Sequence, residues 1–372
     1  AKKVEAKNTW HSAKNIFNSE ALEQEVADFN KNNASFKKGL SFMPITFGIS
    51  FTNTPMNHAR ALVHIYLDGS VGISTAAVEM GQGVNTKMMQ IAADVFSIPI
   101  EKIKIETTNT TRVANTSPSA ASSTADLNGK ATLMACNALV ERLKIVASEI
   151  LNASENDLEL KDESVYIKAE KSDLTWTELI SSAMLKRVAL TENAHYATPE
   201  IHFDKTKEKG HPFAYHVYGT AITTTTIDCT RGTYEFDSVK IVHDYGKSMS
   251  EGIDLGQVEG ALIQGIGWMT MEEIAYNDDG RLLSNALSTY KVPDIFSVPK
   301  SVEVIPVETE GNDMAILKSK AVGEPPLMYG IGAYFALQNA IKVFNPNYDL
   351  QFHAPMTPEK VLIALYENKH KL

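Results

Sequence analysis

One carboxylate in this sequence is stiffened by its own neighbours. Glu324 stands in "KAVGEPPL" (320–327), with Gly323 before it and Pro325 and Pro326 after it. Glycine tolerates backbone angles closed to other residues. Each proline fixes its own φ, removes an N–H donor and restricts the residue ahead of it. A carboxylate held this way suits a general base, which must lie within hydrogen-bond reach of the proton it takes. Apolar spacing at Leu327, Ile331, Tyr334, Phe335, Leu337, Ala340 and Ile341 predicts a buried helix behind it. Proline in the first turn would suit that helix. Its N-terminal dipole would favour the charged carboxylate, and burial the neutral acid. For this stretch alone, the plainer alternative is a turn leading into a helix, with Glu324 as an exposed cap.

Three further segments could hold a ligand. "VEMGQGVNTK" places Gln82, an amide with both donor and acceptor, between Gly81 and Gly83, where backbone N–H groups can come close to a bound group. It lacks the spacing of a nucleoside-triphosphate loop. "NTSPSAASSTADLNG" (115–129) carries almost no side-chain bulk, so its amides could approach an anion or a heteroaromatic ring at the mouth of the helix that follows. A flexible serine-rich linker is the alternative, although Pro118 and the helix tether it. "DLGQVEGALIQGIGW" repeats the Gly-Gln pair, with Gln257 expected at a helix start.

Other chemistries find little support. Cys136 and Cys229 are the only cysteines and do not form a C-x-x-C pair, so neither a disulfide framework nor a zinc or iron–sulfur site can be built from them. The default is two reduced structural thiols in a cytoplasmic protein. His195, His202, His211 and His216 lack the spacing of common metal sites and read as structural. A net charge of -10 argues against nucleic acid and anionic membranes as partners. No apolar run approaches a transmembrane length, and the first residues lack an apolar signal core.

The elements that must position these groups can be read coarsely. With 372 residues, 44% apolar and 22% charged, the chain is of ordinary globular composition and long enough for two or three core-forming units. Residues 1–38 read as a helical lead-in and connector, with a helix over 19–29 capped by Ser19. Residues 39–214 read as a first α+β subdomain: a hairpin at Asp68-Gly69, a helix from Val84 ended before Pro99, and a long helix over 126–151. Within it, 152–214 is polar and charged and reads as an irregular insertion with one helix near "TWTELISSAMLK". Residues 215–345 read as a second α+β subdomain, because hairpin, Gly-Gln pair and helix recur. Residues 346–372 are a tail ending in a helix capped by Thr357, with Pro358 at its first position.

Together the segments resemble the molybdopterin-binding part of xanthine dehydrogenase and related molybdenum hydroxylases. "FGISFT" (47–52), "EMGQG" (79–83), "TSPSAAS" (116–122), "GQVEGA" (256–261), "STYKVPD" (288–294) and "KAVGEPPL" (320–327) carry the likeness, in order, over about residues 10–370. The resemblance implies an α+β fold of two related mixed subdomains. It implies that Gln82, Gly83, Ala120, Ala121, Ser122 and Gln257 contact the molybdopterin cofactor. Phe51, Thr52 and Ala121 would line the substrate pocket, and Glu324 would be the general base for hydroxylating a purine such as hypoxanthine or xanthine with oxygen from water. Molybdenum would be held through the pterin and not by protein ligands. FAD and 2Fe-2S centres, with the rest of the cofactor grip, are expected on other domains or subunits, and the assembly is expected to oligomerise. An aldehyde oxidase, another N-heterocycle hydroxylase and a cofactor-free scaffold remain alternatives.

Overall fold

A computed structural model describes residues 5–349 and 352–367. The chain divides into two compact units. The first comprises Ala1–Phe47, His216–Glu310 and Val322–Leu372, and the second Gly48–Tyr215 and Gly311–Ala321.

The chain opens with α1 (Ala6–Ile16), α2 (Ser19–Asn32) and the long strand β1 (Phe36–Ile49). The α2 cap is Asn18, not Ser19: its side chain accepts the Ala21 N–H at 3.4 Å. Asparagine tolerates the left-handed angle taken there (φ 46°), which lets it supply the capping oxygen.

The second unit follows with β2 (His58–Ile65), β3 (Val71–Thr75), α3 (Val84–Phe96), β4 (Ile103–Ile105) and α4 (Thr124–Leu151). The expected turn at Asp68-Gly69 is present, with Gly69 at φ 82° and the Asp68 carboxylate accepting the Ser70 N–H at 2.9 Å. Next come β5 (Leu158–Lys161), β6 (Ser164–Ile167), β7 (Glu170–Thr175), α5 (Trp176–Leu185), β8 (Thr191–Ala197), β9 (His202–Asp204) and β10 (Lys209–His211).

Residues 152–214 are therefore not irregular. They form a β5-β6-β7 meander and a β9-β10 pair, and β8 joins the main sheet in the order β4-β3-β2-β8. The meander turns escaped sequence reading because they use no glycine. Asp162-Glu163 and Lys168-Ala169 take left-handed angles (φ 47°, 56°, 48° and 71°) that hairpin turns usually give to Gly or Asn. α4 crosses β2 and β8, and α3 and α5 pack beside it. Their shared core contains Val63, Ile73, Phe96, Leu139, Leu143 and Trp176.

The chain returns to the first unit with β11 (Tyr215–Asp228), β12 (Tyr234–His243), α6 (Glu251–Thr270) and β13 (Val302–Pro306). It closes with α7 (Gly330–Phe344) and α8 (Pro358–Tyr366). The sheet order is β1-β11-β12-β13, with β11 and β12 antiparallel and β13 parallel to β12. Side chains alternate along β12. Val239 and Ile241 join the core made with α6 and α7, and Val242 joins Ala13 of α1 and Phe17 just after it. The sheet thus has helices on both faces. Thr357 caps α8 as expected, accepting the Lys360 N–H at 3.4 Å.

Candidate functional site

The expected site residues fall into two groups, one in each unit. In the first unit, Glu324 takes φ −84° and ψ −38° and caps a 3-10 turn over Pro325–Tyr329 that runs into α7. Its carbonyl accepts the Leu327 N–H at 3.1 Å. The side chain is exposed, and Pro325, Pro326 and Tyr329 behind it are buried. Two contacts fix the turn from below. The Tyr329 hydroxyl lies 2.6 Å from His243 Nδ1 on β12, over Gly219, where an added Cβ would come within 1.6 Å of that hydroxyl oxygen. Gly330 meets Gly265 of α6 so closely that a Cβ on Gly330 would lie 2.1 Å from the Gly265 carbonyl carbon. Backbones can approach this closely only because neither residue carries a side chain.

α6 also carries Gln257, so the Gly265–Gly330 contact ties the helix of Gln257 to the turn of Glu324. Gln257 is not at a helix start. α6 begins at Glu251 after Ser250, placing Gln257 in its second turn, half-buried and away from the free N-terminal amides. The Gly-Gln signal misled because Ser250 and the acidic Glu251 and Asp254, better start markers, precede it.

In the second unit, hydrogen bonds join three loops. Gln82 Nε2 donates to the Val78 carbonyl at 2.8 Å, and Gln82 Oε1 accepts the Met80 N–H at 2.6 Å. The amide therefore shapes its own loop, keeping one further N–H and one lone pair. The Val78 N–H donates to Ser119 Oγ at 2.8 Å, linking this loop to residues 115–123. Ser117 Oγ donates to the Met56 carbonyl, adding the segment that holds Phe51 and Thr52. Phe51 is gripped at both backbone atoms by the buried Asn57, whose Oδ1 accepts the Phe51 N–H at 2.8 Å and whose Nδ2 donates to its carbonyl at 2.9 Å. Phe51 is half-buried, and Thr52 and Ala120 are exposed.

Some of the chain's unusual backbone angles fall in this cluster. Ala121 and Ser122 take φ 55° and 51°, and Ser50, just before Phe51, takes φ 144°. Non-glycine residues rarely adopt such angles, which cost on the order of 1–3 kcal/mol each and persist where function or surroundings require them.

The amides expected to await a ligand at Gly81 and Gly83 are taken. Glu79 Oε1 accepts the N–H of both at 2.9 Å, and Oε2 accepts the Asn85 N–H at 3.0 Å, filling the nest at the start of α3. Partial burial pushes the Glu79 carboxyl up, but these amides outweigh it and hold it below the usual range. Gly83 caps α3 at φ 74° and Gly81 turns at φ 101° with open space beside it, so Gly81 is needed for its angle and not for room. Glu79 was legible in principle as an acid ahead of a helix start. Asn57, Ser117 and Ser119 carried no signal, because their partners come from distant turns.

A groove of about 690 Å³ between β12 and the 291–300 segment, lined by Tyr234, Phe236, Val292, Ile295, Phe296 and Lys300 among others, contains none of the expected residues. Among the described residues no group of three or more His, Cys, Asp or Glu side chains could hold a metal ion, and no helix is long and apolar enough to cross a membrane.

The sequence profile of the "molybdopterin cofactor-binding domain" matches residues 12–299. The chain is 38% identical to the xanthine dehydrogenase/oxidase of Felis catus over 95% of its own length and 25% of that protein. It is 35% identical to xanthine dehydrogenase 1 of Arabidopsis thaliana over 96% and 26%. It thus spans about a quarter of these relatives. The fold matches quinoline 2-oxidoreductase of Pseudomonas putida 86 with a TM-score of 0.85 at 22% identity, covering 97% of this chain and 46% of that one. It matches the aldehyde oxidoreductase of Desulfovibrio desulfuricans with a TM-score of 0.73 at 21% identity, covering 95% and 35%. The chain therefore belongs to the molybdopterin cofactor-binding domain family, within the xanthine dehydrogenase group of molybdenum hydroxylases.

Proposed function

We propose that this chain is the part of a xanthine dehydrogenase-like hydroxylase that holds the molybdenum cofactor and supplies Glu324 as the general base for oxidising a purine ring. The observation that carries the reading is the fixed turn at Glu324: an exposed carboxylate on a backbone anchored by two buried prolines, the Tyr329–His243 contact and the Gly265–Gly330 approach. A solvent-facing cap has no need of such anchoring. The similarity to xanthine dehydrogenases from an animal and a plant favours a purine among N-heterocycles.

The residues present fit the cofactor. A loop of Ser and Ala forced into left-handed angles at Ala121 and Ser122 offers backbone amides without side-chain bulk, which suits a polar, anionic pterin. Ala120, Ala121 and Ser122 would hold it with the remaining donor and acceptor of Gln82 and with Gln257; the Gly83 N–H is already donated to Glu79, so Gly83 would contribute only its lack of a side chain. The bound group supplies the two-electron oxidation and delivers oxygen from water to an electron-poor carbon.

The chain's own residues do the rest. Phe51, its backbone clamped by Asn57, presents an aromatic surface to a planar ring, and Thr52 offers a hydroxyl beside it. A Glu324 carboxylate oxygen takes the proton of the attacking hydroxyl and holds it until product leaves. Iron–sulfur and flavin centres on other domains or subunits would carry the electrons away.

Replacing Glu324 with Gln in the full-length enzyme keeps the shape and removes the proton acceptor. Turnover should fall at least ~10²-fold, the lower end for losing a general base, with molybdenum content unchanged. Wild-type turnover in Glu324→Gln would end the assignment.

A further inference from the structure

The second unit contains a buried carboxylate outside the contacts described so far. Asp126 lies in the first turn of α4, four residues after Ser122, with 8% of its surface exposed. Its Oδ1 accepts the Ile316 N–H at 2.8 Å. Its Oδ2 accepts the Tyr215 hydroxyl at 2.6 Å, and the Tyr215 oxygen in turn accepts the Ala321 N–H at 3.0 Å. One carboxylate thus holds both ends of the stretch 316–321, one end directly and the other through a phenol.

What lies between those ends needs holding. Leu317 takes φ 46° and ψ 29°, and Lys318 takes φ 61°. For a side chain as large as leucine this angle is a genuine outlier. Two such residues in succession persist only where the surroundings over-determine them. Further ties are local: the Ser319 N–H and hydroxyl both donate to the Ile316 carbonyl at 2.8 Å, and the Gly311 N–H donates to the Lys318 carbonyl at 2.7 Å. The Asp126–Tyr215 pair joins the stretch to α4 through hydrogen bonds, beside the packing of Ile316 against Gly129.

Position along the chain gives the pair its interest. Upstream, Asp126 closes the first turn of the helix that the strained Ala121–Ser122 loop runs into. Downstream, Ala321 is three residues from Glu324, so anchoring its N–H confines the Glu324 Cα to a radius of about 11 Å. The two left-handed pairs of this region, 121–122 and 317–318, therefore flank one carboxylate. Its burial has a cost. Desolvation pushes the Asp126 carboxyl up to about 6, against the bonds from Tyr215 and Ile316 and the positive charges of Lys87 and Lys130. An apolar residue at this helix position would avoid that cost and could tie nothing.

We propose that Asp126 and Tyr215 are positioning residues, a clamp through which one carboxylate sets both the 120–122 loop and the chain segment that leads into Glu324. The inference rests on the reading of Glu324 as the base, but its first readout does not.

The test is Tyr215→Phe in the full-length enzyme, which keeps the buried ring and removes only the oxygen that links Ala321 to Asp126. Peptides spanning 315–322 should exchange amide hydrogen roughly fivefold faster or more, as expected for losing about 1 kcal/mol of hydrogen bonding, with exchange in β11 and α4 unchanged. Turnover should fall about tenfold at unchanged KM and molybdenum content, because a small misplacement of a reacting group is costly. Asp126→Asn, which keeps one acceptor for Ile316 and the side-chain shape, should show the smaller exchange change of the two. Unchanged exchange at 315–322 in Tyr215→Phe would overturn the clamp. Faster exchange with wild-type turnover would overturn its positioning role. Loss of molybdenum with loss of protection throughout the unit would make the pair a packing element and overturn the proposal as well. Glu324→Gln measured alongside separates the two readings: wild-type turnover there ends the base assignment, and the exchange result for Tyr215→Phe stands or falls without it.

Discussion

The turn that carries Glu324 and the loop that carries Ala121 and Ser122 are both immobilised, by opposite means. The Glu324 turn sits at ordinary right-handed angles and is fixed from below by bulk: two buried prolines, Tyr329 over Gly219, and Gly330 against Gly265. The 115–123 loop has little bulk of its own. It is held by hydrogen bonds to other loops through Ser117 and Ser119, and by its own turn at Ala120. A group that must present a side chain to a reacting atom can be placed by packing. A segment that must present its backbone has to stay thin, so its conformation is set by polar contacts and strain. The first device survives small polar changes and fails on an added methyl; the second should behave the other way round.

The largest effect expected is on chemistry. Glu324→Gln should lower kcat at least ~10²-fold with little change in KM, whereas Phe51→Leu, which leaves the aromatic role only partly filled, should act mainly on KM for purines. An effect of Phe51→Leu confined to thermal stability would place Phe51 in the core and remove it from the pocket.

The next contrast concerns charge. The folded pKa of Asp126, about 6, lies above its ordinary 3.8. Its contribution to stability is therefore fully present below pH 3.8 and lost as pH rises through about 6. The rise from 3.8 to about 6 corresponds to about 3 kcal/mol as an upper figure. Between pH 4 and 7 the unfolding midpoint of the wild type should decline relative to Asp126→Asn. Parallel curves for the two proteins would show that the carboxyl titrates normally.

Packing comes third. Gly330→Ala should destabilise the first unit by about 1–3 kcal/mol, since its Cβ meets backbone that cannot move aside. Gly260→Ala, in α6 with open space around it, should be neutral or stabilising by up to about 1 kcal/mol. Equal thermal shifts for the two would mean that the Gly265–Gly330 approach is not what fixes the turn.

The smallest effect is the most diagnostic of strain. Ala121→Gly should relieve a left-handed alanine and stabilise the second unit by about 0.4–1 kcal/mol, while weakening retention of the cofactor by loosening the loop. Destabilisation by this variant would mean the loop is held by contacts of the alanine methyl and not against strain.

Much of this was legible in the sequence, and what was legible was local. Proline fixes its own φ and the freedom of its predecessor wherever it stands, so the stiff turn at Glu324 could be read directly. The periods of apolar residues announced α3, α4 and α7, because burying one helix face needs that spacing in any surroundings, and the cap Thr357 with Pro358 after it announced α8. Gly81 and Gly83 were legible as special positions, but read as an approach to a ligand, whereas they serve the left-handed angles of a turn filled by Glu79. Tertiary structure decided the rest, through partners far apart in the chain. Nothing near Asn57 announces that it grips Phe51, and nothing in "GALIQGIGW" separates Gly265, pressed against Gly330, from Gly260, which faces open space. Glu79 filling its own nest, Asp162-Glu163 turning without glycine, and Asp126 reaching Ile316 across 190 residues all depend on which groups the folded chain brings together. Local sequence constrains backbone angles and faces. Which polar atom satisfies which is settled only when burial leaves each of them a single partner within reach.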